Sequence, residues 1–328
     1  MALWNMTSAF ARPTIRQLSG RLSSCRTAMN ETLTETAEQR LNLTAYFDET
    51  GHADDPALAF AGMAGFVAPR GAWVNFEAHW QDALKNAGLN EPFHMREFAH
   101  SIGQFRNWKG KEELRRRFLG RLLEIILETG AKPIGAVVSL RDFETLTEAQ
   151  QLQFKNPYFV CFQTCTRGAA IRAVFEHPGE TVDMVYALNT EFGTNREGLA
   201  ERLWQAIKEN YEHRNRMGAY CSSTPAEKCP LQAADLFAYE LCHEFENQIN
   251  RPTDSMRWAL GQILRMYRIP LPQIRLFDRK ELLRMIEESR FPDQTGVEDI
   301  SRGQVRSAQE RMLKWVMERG PVSETRNM

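Results

Sequence analysis

The chain has 328 residues, with 41 Lys and Arg against 42 Asp and Glu and a formal net charge of −1. That balance excludes a globally basic nucleic-acid coat, so any surface for nucleic acid must be local. No apolar run approaches the roughly 18 residues of a bilayer span, so no membrane partner is expected. The six cysteines form no CxxC pair and no secretory signal precedes them. Free thiols in a reducing, cytoplasmic compartment are therefore the expectation, without a structural zinc site.

Residues 1–40 stand apart from the fold. Met1 to Met29 carries Arg12, Arg16, Arg21 and Arg26, with no acid before Glu31. This composition suits a transit-type leader, or else a disordered extension or a start at Met29.

The stretch Leu43 to Gly51 begins as a β-rich run, because Thr44, Tyr46 and Phe47 favour a pleated backbone. It ends in Asp48, Glu49 and Gly51, so a carboxylate stands where a strand runs into a turn. Such a position holds a metal ligand or base in a fixed direction, although Asp and Gly also open ordinary turns. Leu58 to Val67 is a second strand and suggests an antiparallel hairpin with the first. Trp73, Phe76, Trp80, Leu84 and Ala87 recur at helical spacing, and Gly88 sits at the C-cap.

Pro92 to Phe98 places His94, Arg96 and Glu97 among hydrophobes, either as a plain loop-to-helix start or as the rim of a cleft. Lys111 to Thr129 is a helix whose Arg115, Arg116, Arg117 and Arg121 form a solvated face or a phosphate contact. Trp108 is expected in the core. Ala131 to Leu140 reads as a central strand, Asn156 to Phe175 as a buried helix and Thr181 to Leu188 as a strand. Asn195 to Tyr211 reads as an amphipathic helix and Met217 to Cys221 as a short strand. Mixed hairpins and crossovers imply an α/β fold with a mixed sheet flanked by helices.

A helix opens at Pro230. On it Gln232, Asp235 and Tyr239 make one polar stripe between Ala, Leu and Phe. A carboxylate in such apolar company needs a cation, hydrogen-bond donors or a metal.

Phe47-Asp48-Glu49-Thr50-Gly51, Phe93-His94-Met95 and Leu231-Gln232-Ala233-Ala234-Asp235 occur in that order. Together they resemble the domain of unknown function 3800 family, grouped with the ribonuclease H-like fold, from about Leu41 to Glu246. The resemblance implies acids at the end of the first strand, in a middle strand and on a late helix, together holding Mg2+ or Mn2+. Asp48 matches the first acid and Asp235 the last. The middle acid is missing, since the strand ends in Ala187, Leu188 and Asn189. Glu191 is the nearest substitute, and Asp183 lies inside the strand. His94 is a candidate proton shuttle. Glu49, Glu97 and Gln232 are candidate substrate contacts.

Residues 41–250 are thus expected to form a ribonuclease H-like domain. A helical extension over 251–291 packs on it, and a polar tail over 292–328 includes a helix near Val305 to Met317. Three functions compete. The first is a divalent-metal-dependent nuclease or phosphodiesterase using Asp48 and Asp235. The second is a catalytically degenerate domain that binds nucleic acid or protein. The third is a hydrolase of small phosphate esters.

Overall fold

In a computed structural model, the residues described are 42–50, 59–154, 156–188, 199–250, 255–265 and 273–290. The leader, the tail helix near Val305 and Glu191 lie outside them.

The first strand, β1 (Leu43–Thr50), pairs antiparallel with β2 (Phe60–Pro69). Helix α1 (Arg70–Asn86) follows at once, and its Trp73 indole donates to the Thr44 carbonyl of β1 at 2.9 Å. Short α2 (Met95–His100) and a 3-10 turn (Gly103–Trp108) lead into α3 (Glu112–Glu128). Strand β3 (Lys132–Ser139), α4 (Leu140–Glu144), α5 (Glu148–Phe154) and α6 (Pro157–Glu176) come next. Asn156 caps α6 by accepting from the Phe159 N–H at 3.0 Å. The chain continues through β4 (Val182–Ala187), α7 (Leu199–Asn210), β5 (Met217–Ser223) and α8 (Pro230–Asn250). It closes with α9 (Trp258–Arg265), β6 (Gln273–Phe277) and α10 (Arg279–Arg290).

The six strands form one mixed sheet in the order β5-β4-β1-β2-β3-β6. β2 is antiparallel to both its neighbours, whereas β4, β5 and β6 each join a parallel partner. The expected mixed sheet flanked by helices is present. The segment beyond residue 250 differs from its all-helical expectation, because it contributes β6. There Ile274 and Leu276 reach one layer of the core while Phe277 reaches the other. A five-residue strand just after Pro270 and Pro272 offers too short an alternation to stand out by periodicity.

Strand alternation divides the core into two layers. Tyr46, Phe66 and Val185 pack with α1, α3, α8 and α9. Ala45, Phe47, Met184 and Tyr186 pack with α6, α7 and α10 on the opposite side. Helix α8 lies across β1 and β2, and glycines let it come close. A Cβ at Gly62 would stand 2.3 Å from Cys242 Sγ, and one at Gly135 would stand 2.6 Å from a Leu241 methyl. This close seating fixes the height of α8 above the strand end that carries Asp48.

Among the described residues no helix is long and apolar enough to cross a membrane, and the cysteines there are free thiols.

Candidate active site

Asp48 and Glu49 are neighbours in sequence but face opposite layers. Asp48 shares the parity of Tyr46 and turns toward α8. Glu49 shares that of Phe47 and enters the other layer, where its carboxylate accepts from the buried Tyr158 hydroxyl. The strand pleat thus separates one sequence motif into a site residue and a residue of the opposite core.

Asp235 projects from the first turns of α8, and its side chain is 19% exposed. Its Oδ2 accepts the Met95 N–H at 2.8 Å. The His94 Nδ1 stands 3.7 Å from the same oxygen. Among the described residues Asp48 Oδ1 accepts only the N–H of its own neighbour Glu49, at 2.8 Å. Burial raises the Asp48 pKa well above the usual carboxylate range, and the nearby charges of Asp235 and then Glu49 raise it further. The contact with Asp235 likewise raises the His94 pKa above its ordinary value, against a smaller opposing effect of burial.

Gln232 explains why the His94 loop sits against α8. Its side-chain oxygen accepts from the Trp80 indole at 2.9 Å and from the Phe93 N–H at 2.8 Å. Its nitrogen donates to the Pro225 carbonyl at 2.9 Å. The amide is buried behind the acids and joins α1, the loop before α2 and the approach to α8. Phe93, the residue before His94, is clamped in an aromatic cluster with Phe98, Phe105 and Phe118. Trp108 is buried in the same cluster, as expected. The Glu97 carboxylate lies against Gly103.

The basic run of α3 is largely engaged elsewhere. Arg115 is buried and donates to the Phe98 and Ala99 carbonyls at 3.0 Å each, closing the end of α2. Arg121 pairs with Glu124 and Glu128. Arg117 is exposed.

The place of the middle acid is legible from register. Phe47 pairs with Tyr186 in the parallel β1–β4 ladder, so Ala187 stands beside Asp48. Ala187 packs into the same layer as Val185, the layer Asp48 faces. Asp183 pairs with Thr44, four residues back, roughly 13 Å along the strand. Its carboxylate accepts the Ala219 N–H at 2.7 Å, where the β4–β5 register shifts. Among the described residues no three His, Cys, Asp or Glu side chains gather to hold a metal ion.

Sequence reasoning brought out Asp48, Asp235 and His94, and the structure brings these three together. It gave no sign of the Met95 N–H as the donor to Asp235, because a backbone group leaves no mark in residue identity.

No family model matches the chain, and no curated protein matches it in sequence. Among solved structures, the crystal structure of Bst-RNase HIII in complex with Mn2+ is similar with a TM-score of 0.34 and 12% identity. The match covers 79% of this chain and 77% of that one.

Proposed function

We propose that this chain is a divalent-metal-dependent nuclease or phosphodiesterase on a ribonuclease H-like fold, with Asp48 and Asp235 as its metal ligands. The observation that carries the reading is the pair itself. Two carboxylates from different elements feel each other's charge at the end of a central strand, and among the described residues Asp48 has no cationic partner. Like charges placed this way disfavour each other's ionisation. A fold that brings them together gains from a cation between them.

The donor set fits a hard divalent ion. Mg2+ and Mn2+ take oxygen ligands, and Mg2+ commonly binds through one or two carboxylates while keeping several waters. Bound there, such an ion lowers the pKa of water and stabilises charge on phosphoryl oxygens. Asp48 and Asp235 would hold it, the Met95 N–H keeps Asp235 in its orientation, and His94 stands ready to exchange a proton. Glu191, on the segment after β4, is the proposed third ligand. The resemblance in sequence to the domain of unknown function 3800 family supports the same placement of acids on first strand and late helix.

One observation favours the second reading, a degenerate domain that binds nucleic acid or protein without cleaving it. Ala187 occupies the strand position beside Asp48 where a third carboxylate would face the site.

Calorimetric titration of Mg2+ and Mn2+ into wild type, Asp48→Ala and Asp235→Ala tests the proposal. Binding in wild type and its loss in both folded variants is the expected result. Equal binding in all three would place the metal elsewhere and sink the assignment. Metal binding without cleavage of single- or double-stranded nucleic acid or of a phosphate monoester would move the reading to the degenerate domain.

A further inference from the structure

A pair of carboxylates repels a phosphate group as well as attracting a metal, so a phosphoryl site beside it needs donors of its own. Two candidates flank Asp235. Tyr239 lies one turn along α8, roughly 6 Å farther along the helix axis. Arg96 follows Met95, the residue whose N–H is bonded to the Asp235 carboxylate. Both elements are therefore pinned to the same oxygen.

The polar ends of both side chains are left over by the fold. Arg96 is exposed, and among the described residues its guanidinium makes no hydrogen bond or ion pair. Tyr239 is half-buried, and its hydroxyl likewise makes no hydrogen bond there. The Tyr239 ring, by contrast, is held firmly. Its centroid is 4.1 Å from that of His243, and the Arg257 guanidinium lies 5.8 Å over the ring. Arg257 is itself fixed by two bonds to Glu240, at 2.8 and 2.6 Å. A clamped aromatic ring with an unused hydroxyl is an oriented donor.

We infer that Arg96 and the Tyr239 hydroxyl bind the non-bridging oxygens of a phosphoryl group whose reacting centre lies at Asp48 and Asp235. This rests on the preceding reading of that acid pair. The two residues form the anion-binding half of the site, and the acids form the cation-binding half. Burial also raises the Tyr239 pKa, so the hydroxyl keeps its proton at neutral pH and donates. Charge from Arg96 and Asp235 is felt at Tyr239, after the larger contributions of Arg257 and Glu240.

The test is fluorescence anisotropy of a fluorescein-labelled oligothymidylate, with and without Mn2+, on wild type, Arg96→Gln, Tyr239→Phe and Arg117→Gln. Calorimetry of Mn2+ is run on the same proteins. Arg96→Gln should weaken binding about tenfold or more, and should lower the salt dependence of log affinity by roughly 0.7. Tyr239→Phe should weaken it about three- to tenfold with little change in salt dependence. Arg117→Gln, an exposed arginine on α3, should leave binding unchanged. Mn2+ affinity should be the same in all four, which separates a lost phosphate contact from a damaged metal site. A parallel titration with p-nitrophenyl phosphate distinguishes a small ester from a strand, and losses on either ligand support the assignment. Binding unchanged by both Arg96→Gln and Tyr239→Phe on both ligands, or weakened equally by Arg117→Gln, would overturn it. Failure of wild type to bind Mn2+ would defeat the metal reading alone, since the metal-free titrations still decide whether Arg96 and Tyr239 hold phosphate.

Discussion

Helix α8 carries buried acids of two kinds. Toward its C-terminal half, Glu240 and Glu244 are nearly sealed, and both meet Arg257: Glu240 bonds its guanidinium, and Glu244 accepts its backbone N–H at 2.7 Å. Near its N-terminal end, Asp235 is partly open and faces a second acid, Asp48, across to β1. The first arrangement is complete within the chain, because a buried carboxylate is tolerated when cations and N–H groups satisfy it. The second is incomplete. One helix thus shows what a structural acid looks like here, and by contrast why the Asp48–Asp235 pair is better understood as a site.

The comparison can be broken most severely at its complete end. Arg257→Ala leaves Glu240 buried without its cation and should destabilise the fold by about 3–5 kcal/mol. Denaturant unfolding measures this, and a loss near zero would mean that α8 does not depend on the pair. The next largest effect is expected just ahead of Asp235, in the first turn of α8. Gln232→Leu removes the acceptor shared by the Trp80 indole and the Phe93 N–H, costing about 2–4 kcal/mol for buried donors left unmatched. Gln232→Glu keeps that acceptor and should recover part of the loss.

At the incomplete end the sign reverses. Asp48 has a raised pKa in the folded state, so its contribution to stability is full below the unfolded value of about 3.9 and is lost as pH rises through the raised value. In metal-free buffer at neutral pH, Asp48→Asn should therefore raise the melting temperature, by roughly 2–4 °C. It should also flatten the decline in stability from acid to neutral pH. Added Mn2+ should stabilise wild type and leave Asp48→Asn unmoved. A variant less stable than wild type at neutral pH would show that the pair is satisfied within the chain after all.

Of this contrast, the incomplete end was legible in the sequence and the complete end was not. Asp48 stood out because a β-rich run stops at an acid and a glycine, and Asp235 because a polar stripe interrupts an apolar helix. The resemblance favoured Asp48 over Glu49, but strand parity alone could not, since it is settled only when the neighbours show which face meets which helix. Gln232 appeared to belong with Asp235 on one stripe. Its three partners come from segments distant in sequence, so its place behind the acids is a tertiary fact. Arg257 lies beyond the segment that the resemblance covers, and no local pattern ties it to Glu240. Strand β6 was hidden for a different reason: five residues carry too few alternations to outweigh a helical neighbourhood.

That late strand also bears on how the chain is made. β3 borders β6 in the finished sheet, yet β6 lies far downstream of it. While the intervening chain is synthesised, the side of β3 that β6 will cover presents unpaired amides along a run of Ala136, Val137 and Val138. Exposed edges of this kind recruit other strands, and pairing across so long a separation is slow. The nascent protein therefore passes through a stage in which its acid-bearing central strands can already be paired while one flank of the sheet is still open to aggregation. A chaperone, or the arrival of residues 273–277, has to close it.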